Sequence, residues 1–277
     1  MKTYFFIPAN NPRFLNKAAE IKADEIILDL EDAIYNSNIY DAVENIIKSN
    51  LPSHYLVRLN FDPAIGTNQF SYLFPLFKNQ FYRFIVPKIQ SSDQLEMISD
   101  FLNQNLTSNK KLELYLLIEN PKSLIDLNSI LKRDFICGLG LGSHDYCESI
   151  GMNHTFENIS WARMSILNYA KAYAIEAIDI ASMNISDENE FLLECHDGFE
   201  KGFNAKFIIH PWQLRLIKSV TFFGENEISL ALKVKQYIVE IGGVDNFTIA
   251  KIDGQIIERP HLLRFKKILK ETGNEGF

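Results

Sequence analysis

The segment YLLIEN, residues 115–120, runs through apolar positions and then stops on a carboxylate, Glu119, just before Asn120 and Pro121. An ionised carboxylate buried without a partner costs several kcal/mol, so Glu119 must meet water, a cation or a metal. Other apolar runs close in the same way. EIILDLED ends on Asp29, Glu31 and Asp32, YLVRLN on Arg58 and Asn60, RFIVPKI reaches Lys88, GLGLGSHD ends on His144 and Asp145, and FIIHP carries His210. Any one of these is equally well a helix N-cap or a loop-facing charge. The set is better explained by convergence on one polar mouth.

Glu119 and Asp145 close consecutive runs of this kind, which sets their carboxylates side by side if the runs are neighbouring strands. Two bare carboxylates repel, and a divalent cation between them relieves the repulsion. One or two carboxylates, with the other positions left to water and substrate, is how proteins usually hold Mg2+. The plain alternative is an ion pair of Glu119 with Arg58 or Lys88. Zinc is disfavoured, because the six histidines show no HxxxH or HExxH spacing and no cysteine joins one in a ligand pattern. The run GLGLGS, residues 138–143, is a poor dinucleotide fingerprint: Ser143 stands where the third glycine belongs, and Asp145 follows where a helix should start. Its glycines read as room for a ligand close to the backbone. His144, Asp145 and Cys147 lie close in sequence, but without a GxSxG elbow they do not make a nucleophilic set.

Positioning these residues requires strands that end together. Eight β-branched or aromatic runs, TYFFIPA, EIILDLED, YLVRLN, RFIVPKI, LELYLLIEN, FICGLGLGSHD, EAIDIAS and AKFIIHP, alternate with longer segments. Most of those segments, among them RFLNKAAEIKA, NQFSYLFPLFK, SDQLEMISDFLNQN and PKSLIDLNSILK, return apolar residues at helical spacing. Strict alternation argues for a parallel sheet. Eight units before about residue 215 point to a (β/α)8 barrel of residues 1–215, the usual length being about 250 residues; an open doubly wound sheet is the alternative. In a barrel the active site lies at the C-terminal ends of the strands, where the polar residues cluster. Residues 216–277 read as a C-terminal extension packing on the barrel or on a neighbouring subunit. It holds a helix at ENEISLALKVKQYIVEI, a Gly242-Gly243 break, a hairpin-like FTIAKIDGQIIERP and a final helix.

The bulk numbers bound the function. A chain of 277 residues that is 47% hydrophobic and 23% charged, with a net charge of −7, is a soluble globular protein and not a nucleic-acid binder. Cys137, Cys147 and Cys195 form no CxxC pair and no disulfide framework, which indicates a reducing compartment. The opening MKTYFFIPANNPRF meets Pro8 too soon for a signal peptide or a membrane span. A cytoplasmic protein is expected.

With Arg58, Glu119 and Asp145 in place, the chain strongly resembles the HpcH/HpaI aldolase and citrate lyase beta-subunit family, which includes malyl-CoA and citramalyl-CoA lyases. The resemblance is carried nearly end to end by FFIPANNPRF, IILDLEDAI, VRLN, IVPKIQS, LLIEN, GLGLGSHDY, GFNAKFIIHPWQ and IDGQIIERPHLLRFKKIL. It implies a Mg2+-dependent barrel enzyme that makes or breaks a carbon–carbon bond between a 2-oxo acid and an acyl thioester enolate. By the same resemblance Glu119 and Asp145 hold the metal and Arg58 meets the oxyanion or carboxylate. Glu31 and Asp32 orient Arg58 or metal-bound water. Glu258 matches a carboxylate that a neighbouring subunit supplies as acid or base, which implies a homo-oligomer, a trimer by resemblance.

The departures bear on the substrate. The family usually has Asp where this chain has Glu258. Its first loop commonly reads Pro-Gly with an Arg soon after, where this chain has Pro8-Ala9-Asn10-Asn11, and its basic residues beyond LEDA are replaced here by IYNSNIYDAVEN. Those positions receive coenzyme A in the family, and lost positive charge weakens phosphate binding. The expected substrate is therefore a 3-hydroxy acid or its thioester. The alternatives are a thioester hydrolase of the same family, a phosphoryl-transfer enzyme acting on pyruvate or phosphoenolpyruvate, and a non-catalytic binding or assembly subunit. No Gly-rich phosphate loop supports phosphoryl transfer.

Overall fold

Eight strands pair in chain order, all parallel, and the eighth returns to the first. They are β1 (Lys2–Pro8), β2 (Glu25–Asp29), β3 (Leu56–Arg58), β4 (Arg83–Val86), β5 (Glu113–Ile118), β6 (Ile136–Leu141), β7 (Glu176–Asp179) and β8 (Ala205–Ile208). Closure onto β1 makes this a barrel and excludes the open sheet. The structure is a computed structural model that describes residues 1–277 except 33, 35–37, 107–109 and 275–276. Part of the IYNSNIYDAVEN segment therefore lies outside the described residues.

The intervening helices are α1 (Pro12–Leu15), α2 (Ile39–Lys48), α3 (Phe74–Lys78), α4 (Ser92–Asn105), α5 (Pro121–Ile125), α6 (Leu127–Ile130), α7 (Ser143–Ile150), α8 (Phe156–Ala172), α9 (Glu188–Lys201) and α10 (Pro211–Ser219). Several start where side chains satisfy free amides: Ser91 accepts from the Gln94 N–H, Thr155 from Asn158 and Asp187 from Glu190. Asn120 is such a cap as well, accepting from Ser123 at 2.9 Å ahead of Pro121. Three expected helices break: RFLNKAAEIKA holds only the end of α1 and a separate 3₁₀ turn over Ala18–Glu20. NQFSYLFPLFK starts as a 3₁₀ turn over Gly66–Leu73 and becomes α-helical only from Phe74, because Pro75 has no N–H to continue the ladder. PKSLIDLNSILK divides into α5 and α6 at Asp126.

The barrel interior is filled by side chains of alternate strand residues, including Tyr4, Ile27, Leu56, Ile85, Tyr115, Leu117, Ile178 and Phe207. β6 supplies glycines there. A Cβ on Gly138 would run into the Tyr115 ring, and one on Gly140 would lie 2.5 Å from the Phe207 ring. Gly138 and Gly140 therefore make room for two core aromatics and not for a ligand; the third glycine of the run, Gly142, lines the site described below. The run also leads directly into a helix, α7, which corrects the reading that no helix starts there.

A ring of charges closes the opposite, N-terminal end of the barrel, the face concerned with stability. Arg83 donates to Glu25 at 2.7 Å, to Glu113 at 2.8 Å and to the Tyr115 hydroxyl at 3.0 Å. Lys2 lies 3.2 Å from Glu25 and 2.9 Å from Glu176.

The first compact unit runs to Ser219 and takes in all of α10; the second is Val220–Phe277. The second unit holds α11 (Glu225–Glu240), an antiparallel hairpin of β9 (Ile249–Ile252) and β10 (Gln255–Glu258), and α12 (Arg259–Glu271). Asp253 and Gly254, both at positive φ, make the tight hairpin turn. Arg264 on α12 pairs with Glu227 on α11 at 2.5 Å. Among the described residues no helix is long and apolar enough to cross a membrane.

The close approach at Gly140 is testable. Gly140→Ala is expected to lower stability by about 1–3 kcal/mol through overpacking, and adding Phe207→Leu should recover part of that loss. Urea unfolding of the single and double variants measures both; an unchanged midpoint in Gly140→Ala would contradict the packing.

Candidate active site

Strand alternation sends three polar residues into the lumen at the C-terminal mouth. Asp29 follows Ile27 by two, Arg58 follows Leu56 by two, and Glu119 follows Leu117 by two, and each of those apolar residues belongs to the interior core. Arg58 is 6% exposed and shares a two-point contact with Asp29, Nε to Oδ1 at 2.7 Å and Nη2 to Oδ2 at 2.6 Å. Nη2 also donates to Asp32 at 2.8 Å, and the guanidinium carbon stands 4.9 Å from the centre of the Phe6 ring. Asp29 Oδ1 in turn accepts the Glu31 N–H at 3.0 Å, which fixes the start of the following loop.

Glu31 is buried between two cations, with Oε2 at 3.0 Å from Arg58 Nη1 and Oε1 at 2.8 Å from Lys88 Nζ. Among the described residues these two ion pairs are the contacts that balance its charge. Burial raises the Glu31 carboxyl pKa, and the Arg58 and Lys88 charges oppose the rise. Glu31 does not line the cavity, whereas Asp32, largely exposed, does.

Glu119 is 5% exposed directly after β5. Its Oε2 accepts the backbone N–H of Lys88 at 2.7 Å, an amide turned toward it by the left-handed conformation of Lys88 (φ 53°). A Cβ on Gly142 would lie 2.6 Å from Glu119 Oε1, so glycine at that position leaves the carboxylate its place. Among the described residues Glu119 forms an ion pair with neither Arg58 nor Lys88, which removes the plain ion-pair alternative: the two cations serve Asp29, Glu31 and Asp32 instead. Burial, then the charges of Glu31 and Asp145, push the Glu119 carboxyl well above the ordinary carboxylate range; the Lys88 amide and Arg58 offset this only in part.

Asp145 does not close a strand, contrary to expectation. β6 ends at Leu141, and Asp145 sits in the first turn of α7, half-buried, where helix amides favour a carboxylate. The same turn carries Ser143, whose hydroxyl meets His154 Nε2 at 2.8 Å, and His144, stacked flat on His154 with ring centres 4.0 Å apart.

Asp29, Asp32, Arg58, Glu119 and Asp145 line one cavity of about 340 Å³. Its apolar side includes Phe6, Ala181, Met183, Phe207 and Ile209. A larger groove of about 910 Å³, bordered by Phe5, Phe14, Ile21 and Leu214, holds none of the five, so size does not identify the site. Glu258, at the end of β10, belongs to the second unit; it is exposed and its N–H donates to His261 Nδ1 at 2.9 Å. Sequence reasoning missed the roles of Asp29, of the Lys88 amide and of Gly142. The parity of Asp29 with Ile27 was a readable signal for the first; the other two depend on contacts between separate strands.

The barrel and the arrangement of its mouth can be set beside known proteins. The chain is 25% identical to a citrate lyase subunit beta from Leuconostoc mesenteroides subsp. cremoris, over 97% of this chain and 92% of that one. It is 24% identical to a (3S)-malyl-CoA thioesterase from Cereibacter sphaeroides, over 98% of this chain and 94% of that one. The crystal structure of protein CitE from Mycobacterium tuberculosis in complex with magnesium, acetoacetate and coenzyme A shares the fold, with a TM-score of 0.83 at 21% identity over 99% of this chain and 98% of that one. The model of the HpcH/HpaI aldolase/citrate lyase family matches residues 2–211, a span that contains every strand of the barrel and the whole polar mouth, and the chain therefore belongs to that family.

Proposed function

We propose that the protein is a Mg2+-dependent carbon–carbon lyase that cleaves a 3-hydroxy acid or its thioester to a 2-oxo acid and an acyl product, or runs the reverse. One observation carries the reading: Glu119 is buried beside the charge of Asp145, with no side-chain cation paired to it among the described residues, in the same cavity as the Arg58 fork. The residues present fit a hard divalent cation. Both donors are carboxylates, Glu119 is destabilised as an anion, and Gly142 keeps its place open. Among the described residues no group of three or more His, Cys, Asp or Glu forms a metal cage. Two carboxylates with water and substrate completing the shell is the arrangement that suits Mg2+. When bound there, the ion supplies Lewis-acid polarisation of the 2-oxo acid carbonyl.

Cleavage needs the hydroxyl proton removed while the carbon–oxygen bond becomes a carbonyl. The electron pair of the breaking carbon–carbon bond passes to the acyl fragment, which then takes a proton. Arg58 meets the oxygen that carries negative charge along this course. Its bonds to Asp29 and Asp32 use Nε and the Nη2 hydrogens, and Nη1, 3.0 Å from Glu31 Oε2, is the donor left to share with substrate. The fixed fork lets that donor act without reorganising. Glu31 and Asp32 hold the guanidinium in place. Glu258 from a neighbouring subunit serves as the acid or base, which makes the working form an oligomer, a homotrimer. A second reading, thioester hydrolysis, is favoured by the relative named as a (3S)-malyl-CoA thioesterase; it is distinguished by release of a free acid whose carbon–carbon bond is intact.

Three outcomes follow. A Glu119 carboxyl that favours its proton stabilises the metal-free protein at low pH, and that contribution is lost as pH rises above the ordinary carboxylate range. In chelator, Glu119→Gln should therefore gain in melting temperature on the parent as pH rises. Mg2+ should restore stability by about 2.7 kcal/mol at a hundred times its dissociation constant; Glu119→Gln should melt higher than the parent at neutral pH in chelator and ignore Mg2+. A parent protein that also ignores Mg2+ would sink the lyase reading. Arg58→Lys should lower kcat/KM by about 10²–10³ in a 2-oxo acid release assay across a panel of 3-hydroxyacyl thioesters and free 3-hydroxy acids. Finally, inactive Glu258→Ala and inactive Glu119→Ala subunits, mixed and reassembled, should regain activity, and a monomer by sedimentation would remove that mechanism.

A further inference from the structure

Ile180, Ser182 and Asn184 follow β7 at alternate positions, and the carbonyl of each is held by a buried side chain. Lys206, wholly buried on β8, donates Nζ to the Ile180 carbonyl at 2.8 Å. Gln213, wholly buried in the first turn of α10, donates Nε2 to the carbonyls of Ser182 at 2.8 Å and Asn184 at 2.7 Å. Its Oε1 accepts the N–H groups of Ile209 at 3.1 Å and His210 at 3.2 Å. A side-chain amide has two N–H donors and an oxygen with two lone pairs, so these four bonds use its whole capacity. All four partners are main-chain groups. Gln213 thus ties the loop after β7 to the loop after β8 regardless of the side chains those loops carry.

The residues between the anchored carbonyls, Ala181 and Met183, line the active-site cavity, and so does Ile209 beside the second pair of bonds. They extend the apolar side of the cavity, to which Phe6, Leu117, Leu141 and Phe207 also contribute, and it faces the charged set of Asp29, Asp32, Arg58, Glu119 and Asp145. A 2-oxo acid has its carboxylate and carbonyl matched by the charged side; the part of the substrate that gains from an apolar wall is the acyl chain. Met183, 56% exposed and unbranched, is suited to adapt to that chain. We propose that Gln213 is a positioning residue that holds this wall in register, and that Ala181 and Met183 sort substrates by their acyl group. The assignment of the ligand rests on the lyase reading; the anchoring of the loop does not.

Gln213→Glu keeps the oxygen that accepts from Ile209 and His210 and replaces the two donors by an acceptor facing two carbonyls. Hydrogen exchange over residues 181–186 is expected to be about tenfold faster than in the parent, with the β5 amides unchanged. KM for the 3-hydroxyacyl substrate should rise about tenfold while kcat stays within about threefold. Equal exchange in the two proteins, or a loss in kcat at constant KM, overturns the proposal. Met183→Ala and Met183→Trp leave the Gln213 bonds alone and should shift acyl preference in opposite directions, toward longer and shorter chains. An unchanged preference overturns the wall assignment, and this pair decides it if Gln213→Glu does not fold. If the parent releases no 2-oxo acid from any substrate, the lyase reading falls and takes the acyl wall with it, while the exchange measurement still judges the anchoring.

Discussion

Arg58 stands in the mouth of the barrel with its fork against Asp29, and the charge balance of the whole site depends on that pair. Among the described residues five carboxylates, Asp29, Glu31, Asp32, Glu119 and Asp145, meet two side-chain cations there, Arg58 and Lys88. Both cations are taken by the β2 end and its loop. Among the described residues Glu119 is left as a buried carboxylate whose one hydrogen-bond donor is a backbone amide, and an unpaired buried charge is costly enough that the group must either keep its proton or receive a cation. A bidentate Arg–Asp contact is directional and strong, so it holds the excess negative charge at Glu119 and Asp145 and does not let it redistribute.

The barrel gives this arrangement its precision. Core aromatics fill the lumen below the site, and the glycines of β6 let Tyr115 and Phe207 lie where a side chain on that strand would collide. Phe207 and Phe6 then reach the cavity itself, with Phe6 beneath Arg58, so the packing that closes the interior also floors the site. The N-terminal end is closed by paired charges around Arg83, nearly matched in sign, whereas the C-terminal end is left short of cations. A balanced network stabilises; an imbalanced one is poised to bind.

The cavity is divided accordingly. Its charged part rises from β2, β3, β5 and α7; its apolar part comes from β1, β5, β6 and β8 and is completed by the loops after β7 and β8. The loop after β7 is held through main-chain carbonyls by Lys206 and Gln213, both wholly buried, so its side chains can vary without loosening it. A fixed polar half beside a replaceable apolar half is how one fold can keep a common chemistry and change the substrate it accepts.

Much of this was legible in the sequence because its signals are local. Alternating apolar runs and helical spacing are set by periods of two and of three to four residues, and eight such units in order leave few topologies other than the barrel. Strand parity alone carries Asp29, Arg58 and Glu119 inward. What the sequence did not convey depends on which atoms meet across strands far apart in the chain. The partner of Arg58, the Lys88 amide turned onto Glu119, the shift of Asp145 from a strand end into a helix, and the aromatic rings that claim the space above the β6 glycines are all of this kind. The sequence by itself determined the kinds of group that arrive at the mouth. Only the closed barrel decided which carboxylates are neutralised by a cation and which are left in want of one, because that is settled by distance and burial.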